Sequence, residues 1–125
     1  MELRVLPDRL SVCRLPVDAP WPHPATGSGL HSVTRTAREI SVVCSDGDVP
    51  SGAQVEPDWR AIEVAGPLDF GVIGVMASLT RPLAEVQVSV FVMSTYDTDY
   101  VMVHAAALER AIEALRRAGH HVEAQ

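Results

Sequence analysis

The stretch Val88–Val103, VSVFVMSTYDTDYVMV, limits the possible folds more than any other part of this chain. Two apolar, β-prone runs, Val88–Met93 and Tyr100–Val103, flank the polar bend from Ser94 to Asp99. Branched and aromatic residues interrupted by a short polar cluster specify an antiparallel hairpin, with carboxylates and hydroxyls gathered at one end. Ahead of it, Asp69 stands where it can cap a helix over roughly Phe70–Leu83, whose apolar face is Phe70, Ile73, Ala77, Thr80 and Leu83. Pro82 falls late in that pattern and is expected to end or kink the helix. Behind the hairpin, Ala106–Ala118 reads as a second helix with Leu108, Ala111, Ile112 and Leu115 inward. Glu113 and Arg117, four apart, lie on its outer side. Gly119 stops it, and His121–Glu123 is expected to form a last strand. With a strand at Trp59–Val64 the order becomes βαββαβ, the split ferredoxin-like arrangement.

The first half reads as a worn copy of the second. Leu10–Leu15 is a strand, Pro16–Gly29 a proline- and glycine-rich loop, and His31–Thr34 and Ile40–Cys44 are two short strands. An offset of sixty residues lays SVTRTAREISVV on VMSTYDTDYVMV, strand on strand and bend on bend, and sets Glu39 on Asp99. The match is one of pattern, with almost no identity. Asp46–Asp58 takes the place of the second helix, as a short helix or a loop. Arg38 and Glu39 read first as solvent-facing strand ends.

Composition narrows the function. With 125 residues, 47% hydrophobic and 21% charged, the chain can bury a core. Its formal net charge is -6, and no Lys/Arg cluster extends beyond Arg116-Arg117. Such a surface neither neutralises nucleic-acid phosphates nor favours anionic membranes. No apolar run has the length of a membrane span and no secretory signal is visible, so the cytoplasm is the expected address. Cys13 and Cys44 sit in apolar strand-like runs and are read as small core residues. The five histidines show no metal-binding spacing. No metal and no cofactor are expected.

Two segments carry candidate chemistry. In Gly66-Pro67-Leu68-Asp69-Phe70-Gly71, a turn from strand into helix leaves backbone N–H groups and a helix dipole available to an anion such as an α-carboxylate. The plainer reading is a tight turn capped by Asp69. No Gly-Lys-Ser/Thr follows, which excludes a nucleotide P-loop. In the bend, Asp97-Thr98-Asp99 matches the Asp-X-Asp of some magnesium-dependent enzymes, but a strand follows at once where those enzymes need a loop and helix. Catalysis through Asp97 and Asp99 is therefore not expected. Asp99 is the better ligand candidate, its carboxylate suited to an ammonium or guanidinium, against a plain turn role. Ser94 and Thr95 bond either a ligand or the hairpin backbone. Tyr96 can wall a pocket, whereas Tyr100 is expected in the core. Trp21, in the loop Pro20-Trp21-Pro22-His23-Pro24, is read as a packing anchor before a lid or partner surface.

The string Ser94–Val103, supported by GPLDFGVIG at Gly66–Gly74 and PDWRAIEVAG at Pro57–Gly66, resembles the tandem branch of the ACT domain. That branch contains the CASTOR-like sensors and many small bacterial proteins. The resemblance implies an α+β fold of two ACT-like, ferredoxin-like βαββαβ halves, with antiparallel sheets and helices on one face. The degenerate half would span 1–64 and the complete ACT domain 65–125, its first strand beginning near 59. It also implies a non-catalytic regulatory sensor for a free amino acid or similar metabolite. Gly66, Pro67, Leu68, Asp69, Phe70 and Gly71 would hold the ligand's main-chain atoms. Asp99, with Tyr96, would meet its cationic end, because an acidic residue at the Asp99 place contacts the amino acid in arginine-sensing relatives. Ser94 and Thr95 complete the candidate ligand contacts. Expected partners are that small molecule, a second copy of the chain and a regulated protein that the sequence does not identify. A ligand-free dimerisation or interaction module is the alternative, since open sheet edges invite pairing. The chain departs from the resemblance at Pro82 and at Ala84-Glu85-Val86-Gln87, where relatives often carry a small residue and Gly.

Overall fold

The computed structural model describes residues 1–24 and 29–124. Residues 25–28, near the end of the expected Pro16–Gly29 loop, lie outside them. In chain order the elements are strands β1 (Glu2–Val5), β2 (Leu10–Leu15), β3 (Ser32–Arg35) and β4 (Ile40–Ser45), a 3₁₀ turn at Asp46–Asp48, and the long strand β5 (Gln54–Val64). There follow helix α1 (Val75–Glu85), strands β6 (Phe91–Ser94) and β7 (Asp99–His104), a 3₁₀ turn at Ala105–Ala107, helix α2 (Leu108–Arg117) and strand β8 (His121–Glu123).

Two compact units divide the chain: residues 1–7 with 60–125, and residues 8–59. Residues 54–59 of β5 belong to the smaller unit and 60–64 to the larger. The smaller unit's strands run β3-β4-β2-β5, with β2 antiparallel to both neighbours. That is the strand order of a ferredoxin-like sheet. Its helices are absent among the described residues: the 3₁₀ turn Asp46–Asp48 and a turn closed by Ala53 N to Pro50 O fill the second helix's place. The loop after β2 carries Trp21, which is 50% exposed and not the packing anchor expected of it. Cys13, Leu15, Ile40, Val42 and Cys44 make this unit's core, and both thiols are free and buried.

In the larger unit the strands run β6-β7-β5-β1-β8. Glu2–Val5 was not foreseen as a strand, and it takes the fourth strand's usual place beside β5. It pairs antiparallel with β5 (Leu3 with Val64, Val5 with Ile62) and parallel with β8 (Leu3 with Val122). The expected 1–64 half therefore loses its first seven residues to the other body. The reason is local: Leu3 and Val5 alternate with Glu2 and Arg4, and both apolar side chains enter the larger unit's core. Both helices cover one face of this sheet. Leu79 and Leu83 of α1 and Leu108, Ala111, Ile112 and Leu115 of α2 pack on Val64, Val101, Val103 and Val122. The inner face read for α2 is correct.

Helix α1 is shifted from its expected place. It starts at Val75, because Gly74 takes a left-handed conformation (φ 84°) as its N-cap, and it has no side-chain cap. Asp69 is no cap; its Oδ1 accepts from Gly71 N at 3.0 Å in a local turn. Two glycines within four residues, Gly71 and Gly74, disfavour a helix there. Phe70 and Ile73 consequently lie outside the helix and exposed rather than on an inner face. Pro82 lies inside α1, buried, and does not end it. The helix closes three residues later, with Gln87 at positive φ (60°).

Candidate functional site

The hairpin bend is built to be rigid. Ser94 pairs with Asp99 across the strands, and Thr95 N donates to Thr98 O at 2.8 Å. The Thr95 hydroxyl lies 3.3 Å from both the amide and the carbonyl oxygen of Thr98. Thr95 thus serves the bend. Thr98 is buried, and its hydroxyl donates to the Val64 carbonyl at 2.6 Å, which ties the bend to β5. The bend of the other hairpin has the same construction. Arg35 pairs with Ile40, Thr36 N donates to Glu39 O at 2.9 Å, and Glu39 N donates to the Thr36 hydroxyl. Thr36 is therefore the counterpart of Thr95 and Glu39 that of Thr98. The offset is 59 residues rather than sixty, and Ile40, not Glu39, corresponds to Asp99.

The segment from β5 to α1 folds against the bend. Leu68 N donates to Asp97 O at 2.7 Å. A Cβ on Gly66 would stand 3.0 Å from Asp97 O and 3.1 Å from Thr98 Cβ, so only glycine allows this approach without displacement. The Gly66-Pro67 bond is cis.

Between the two walls lies an open cavity of about 370 Å³. One wall is Leu68, Asp69, Phe70, Val72, Gly74, Val75 and Met76; the other is the bend, Ser94–Asp99. Of the ten residues read as ligand contacts, seven line it: Leu68, Asp69, Phe70, Ser94, Thr95, Tyr96 and Asp99. Gly66, Pro67 and Gly71 do not. Val72, Gly74, Val75, Met76, Asp97 and Thr98 were missed as a group. The two glycines before Val75 were the available signal for placing the helix start, and hence its first turn, at the cavity.

The cavity is electrostatically one-sided. Asp69, Asp97 and Asp99 line it, and no Lys, Arg or His does so among the described residues. Ser94 Oγ donates to Asp99 Oδ1 at 2.6 Å, which fixes that carboxylate and leaves most of its acceptor capacity to a ligand. At the other wall, the first turn of α1 has backbone N–H groups that no side chain caps. Phe70 and Tyr96 meet edge to face at the mouth, ring centroids 4.8 Å apart. Tyr100 is half-buried away from the cavity, its hydroxyl donating to Glu63 Oε2 at 2.9 Å. Burial first, and then that bond, push its phenol above the ordinary range. No group of three or more His, Cys, Asp or Glu among the described residues is placed to hold a metal ion. No described helix is long and apolar enough to cross a membrane.

The chain is similar to known proteins in sequence and in fold. The family model for the ACT domain matches residues 54–117, and a model of an N-terminal domain matches residues 8–52. The cytosolic arginine sensor for mTORC1 subunit 1 of Homo sapiens is 33% identical over 60 residues, and that of Rattus norvegicus 35%. The match takes in 47% of this chain but only 18% of those relatives' length. The crystal structure of a protein from Agobacterium tumefaciens superposes with a TM-score of 0.90 at 32% identity, covering 99% of this chain and 92% of that one. The ligand-free regulatory subunit of aspartate kinase from Thermus thermophilus has the same fold, with a TM-score of 0.65 at 12% identity, over 94% of this chain and 97% of that one.

Proposed function

Since the chain belongs to the ACT domain family, we propose that it is a non-catalytic, cytoplasmic regulatory protein whose cavity binds a free amino acid or a similar small metabolite. The observation that carries this reading is the cavity itself. Its volume of about 370 Å³ suits a small metabolite. An uncapped helix N-terminus and a wall of carboxylates share its lining.

The first turn of α1, at Gly74–Met76, receives the ligand's carboxylate, because free N–H groups and the helix dipole both favour an anion. This replaces Gly66–Gly71 as the expected anion-binding turn; Gly66 and Leu68 act instead by holding the wall against the bend. Asp99, oriented by Ser94, receives the ligand's cationic end, with Asp69 and Asp97 adding to the attraction. Binding then alters what the chain presents to a second copy or to a regulated protein.

A thermal-shift screen against the twenty amino acids and common metabolites tests this, because a ligand that binds only the folded state raises Tm by mass action. A saturable rise with one compound class is the expected result. Silence across the panel moves the weight to a ligand-free interaction module. The exposed apolar group Phe70, Val72, Ile73 and Tyr96 favours that second reading.

A further inference from the structure

We infer that the bend of the smaller unit, residues 35–39, is a second ligand site. It takes a small oxyanion with two or more negative charges, such as a phosphorylated or dicarboxylic metabolite. This holds whatever the cavity of the larger unit binds.

The two hairpin bends share one construction, and the offset of 59 residues sets their side chains in correspondence. Arg35 stands where the other bend has Ser94, and Arg38 where it has Asp97. Ser94 and Asp97 line the acidic cavity. The same turn therefore presents carboxylates in one unit and guanidinium groups in the other.

The smaller unit has four arginines and no lysine. Arg9 is paired with Asp58 at 3.1 Å. The other three gather at the bend. Arg35 ends β3, Arg38 lies in the turn, and Nη2 of Arg14, from β2, donates to the Arg38 carbonyl oxygen at 3.2 Å. That bond fixes one guanidinium beside the turn and occupies an oxygen that would otherwise repel an anion. All three arginines are exposed, and among the described residues none pairs with a carboxylate, Glu39 included. The backbone adds a donor. The amides of Arg38 and Glu39 both donate to the Thr36 hydroxyl, at 3.1 and 3.2 Å, and the amide of Thr36 to Glu39 O. Within the turn only the Ala37 amide has no acceptor among the described residues. An open cavity of about 280 Å³ lies there, lined by Arg35, Thr36 and Ala37.

Charge and size decide what fits. A guanidinium presents a planar fork that matches a carboxylate or phosphate. The unpaired forks of Arg35 and Arg38 call for two negative charges, and a monoanion satisfies one. A long polyanion meets the field of a chain whose net charge is -6, which repels nucleic acid and acidic protein surfaces. Only a ligand small enough to meet the bend alone gains from it.

The test is an amide NMR titration of the full chain with pyrophosphate, succinate and acetate, sodium chloride holding the ionic strength constant. Saturable shifts at residues 36–39, Ala37 foremost, are the expected result. Pyrophosphate, succinate or both should bind about fivefold more tightly than acetate, because the second charge engages the second guanidinium. Pyrophosphate alone assigns a phosphoryl ligand, and succinate alone a dicarboxylate. Arg35→Gln and Arg38→Gln should each weaken the preferred anion about three- to fivefold. Arg110→Gln, at an exposed arginine of α2, should leave it unchanged. The anion preferences of the parent stand without the variants. No saturable shift at residues 36–39, or acetate binding as tightly as the dianions, overturns the inference. So does an unchanged affinity in both bend variants. A deca-glutamate peptide that binds more tightly than either dianion also overturns it, and makes the bend a docking surface for an acidic protein segment.

Discussion

The amide of Leu68 donates to the carbonyl oxygen of Asp97 at 2.7 Å, joining the two loops that wall the cavity. Beneath it the Thr98 hydroxyl reaches the Val64 carbonyl at 2.6 Å. One contact is backbone to backbone and the other is buried, so the cavity's shape depends on local geometry more than on its lining side chains. Gly66 is where that geometry is tightest.

Gly66→Ala should therefore destabilise the protein by about 1–2 kcal/mol, because the new methyl must displace backbone at Asp97 or the Thr98 side chain. Urea denaturation gives the measurement. Ligand affinity should fall as well, although Gly66 does not line the cavity. A variant with unchanged stability and affinity would show that the bend yields freely.

Thr98→Val removes a buried donor and keeps the volume. The Val64 carbonyl then loses its partner, at a cost of about 1–3 kcal/mol. Thr98→Ser keeps the hydroxyl and should recover most of the loss. Equal loss in both variants would assign the effect to packing of the methyl group instead.

The sequence made some of this legible and not the rest, for identifiable reasons. The hairpin around the Ser94–Asp99 bend and the inner face of α2 follow from strong local periodicity and are found. The first hairpin strand nevertheless begins at Phe91 rather than Val88, and the strands extend to include Ser94 and Asp99. Helix α1 was placed five residues early because apolar spacing continues through Phe70 and Ile73, while Gly71 and Gly74 break the backbone beneath it. Val75 and Met76 were lost from the site with it. Strand β1 was missed because four residues carry little signal and its partners, Ile62–Val64 and His121–Glu123, lie far along the chain. The one-residue slip between the two hairpins has a different origin. Alternation fixes which face a residue takes, but turn closure, here Thr36 with Glu39 and Thr95 with Thr98, fixes the alignment.

Stability should fall steeply in alkali through the smaller unit. Burial is the first cause that lifts the Cys44 thiol from 9.0 to about 12, followed by Cys13 beside it and the acids Asp48 and Asp46. A raised folded-state pKa stabilises fully below the unfolded value and fades as pH climbs through the folded one. The window therefore runs from about pH 9 to 12. In Cys44→Ala the urea midpoint should decline less across it. Parallel curves for the two proteins would mean that another group, such as Tyr100 with its own raised pKa, governs the alkaline limb.

Asp99→Asn addresses the site most directly. The amide keeps the size of the carboxylate and an oxygen to accept from Ser94, so the bend should persist, with stability within about 0.5 kcal/mol of the parent. The charge is lost. A ligand whose cationic end meets Asp99 gives up a charge-assisted bond worth about 1.5–3 kcal/mol, or roughly ten- to hundredfold in Kd. Asp69 and Asp97 remain to attract it, so binding should weaken rather than vanish. Salt separates their parts, because long-range attraction by exposed carboxylates is screened within about 10 Å at 0.1 M while a direct contact is screened far less. The ratio of parent to variant affinity should accordingly hold as salt rises, although both affinities fall. A ratio that collapses toward one in salt would assign Asp99 to the general field of the cavity. An unchanged Kd at low salt would remove it from the site, leaving the α1 terminus and the aromatic pair as what the ligand meets.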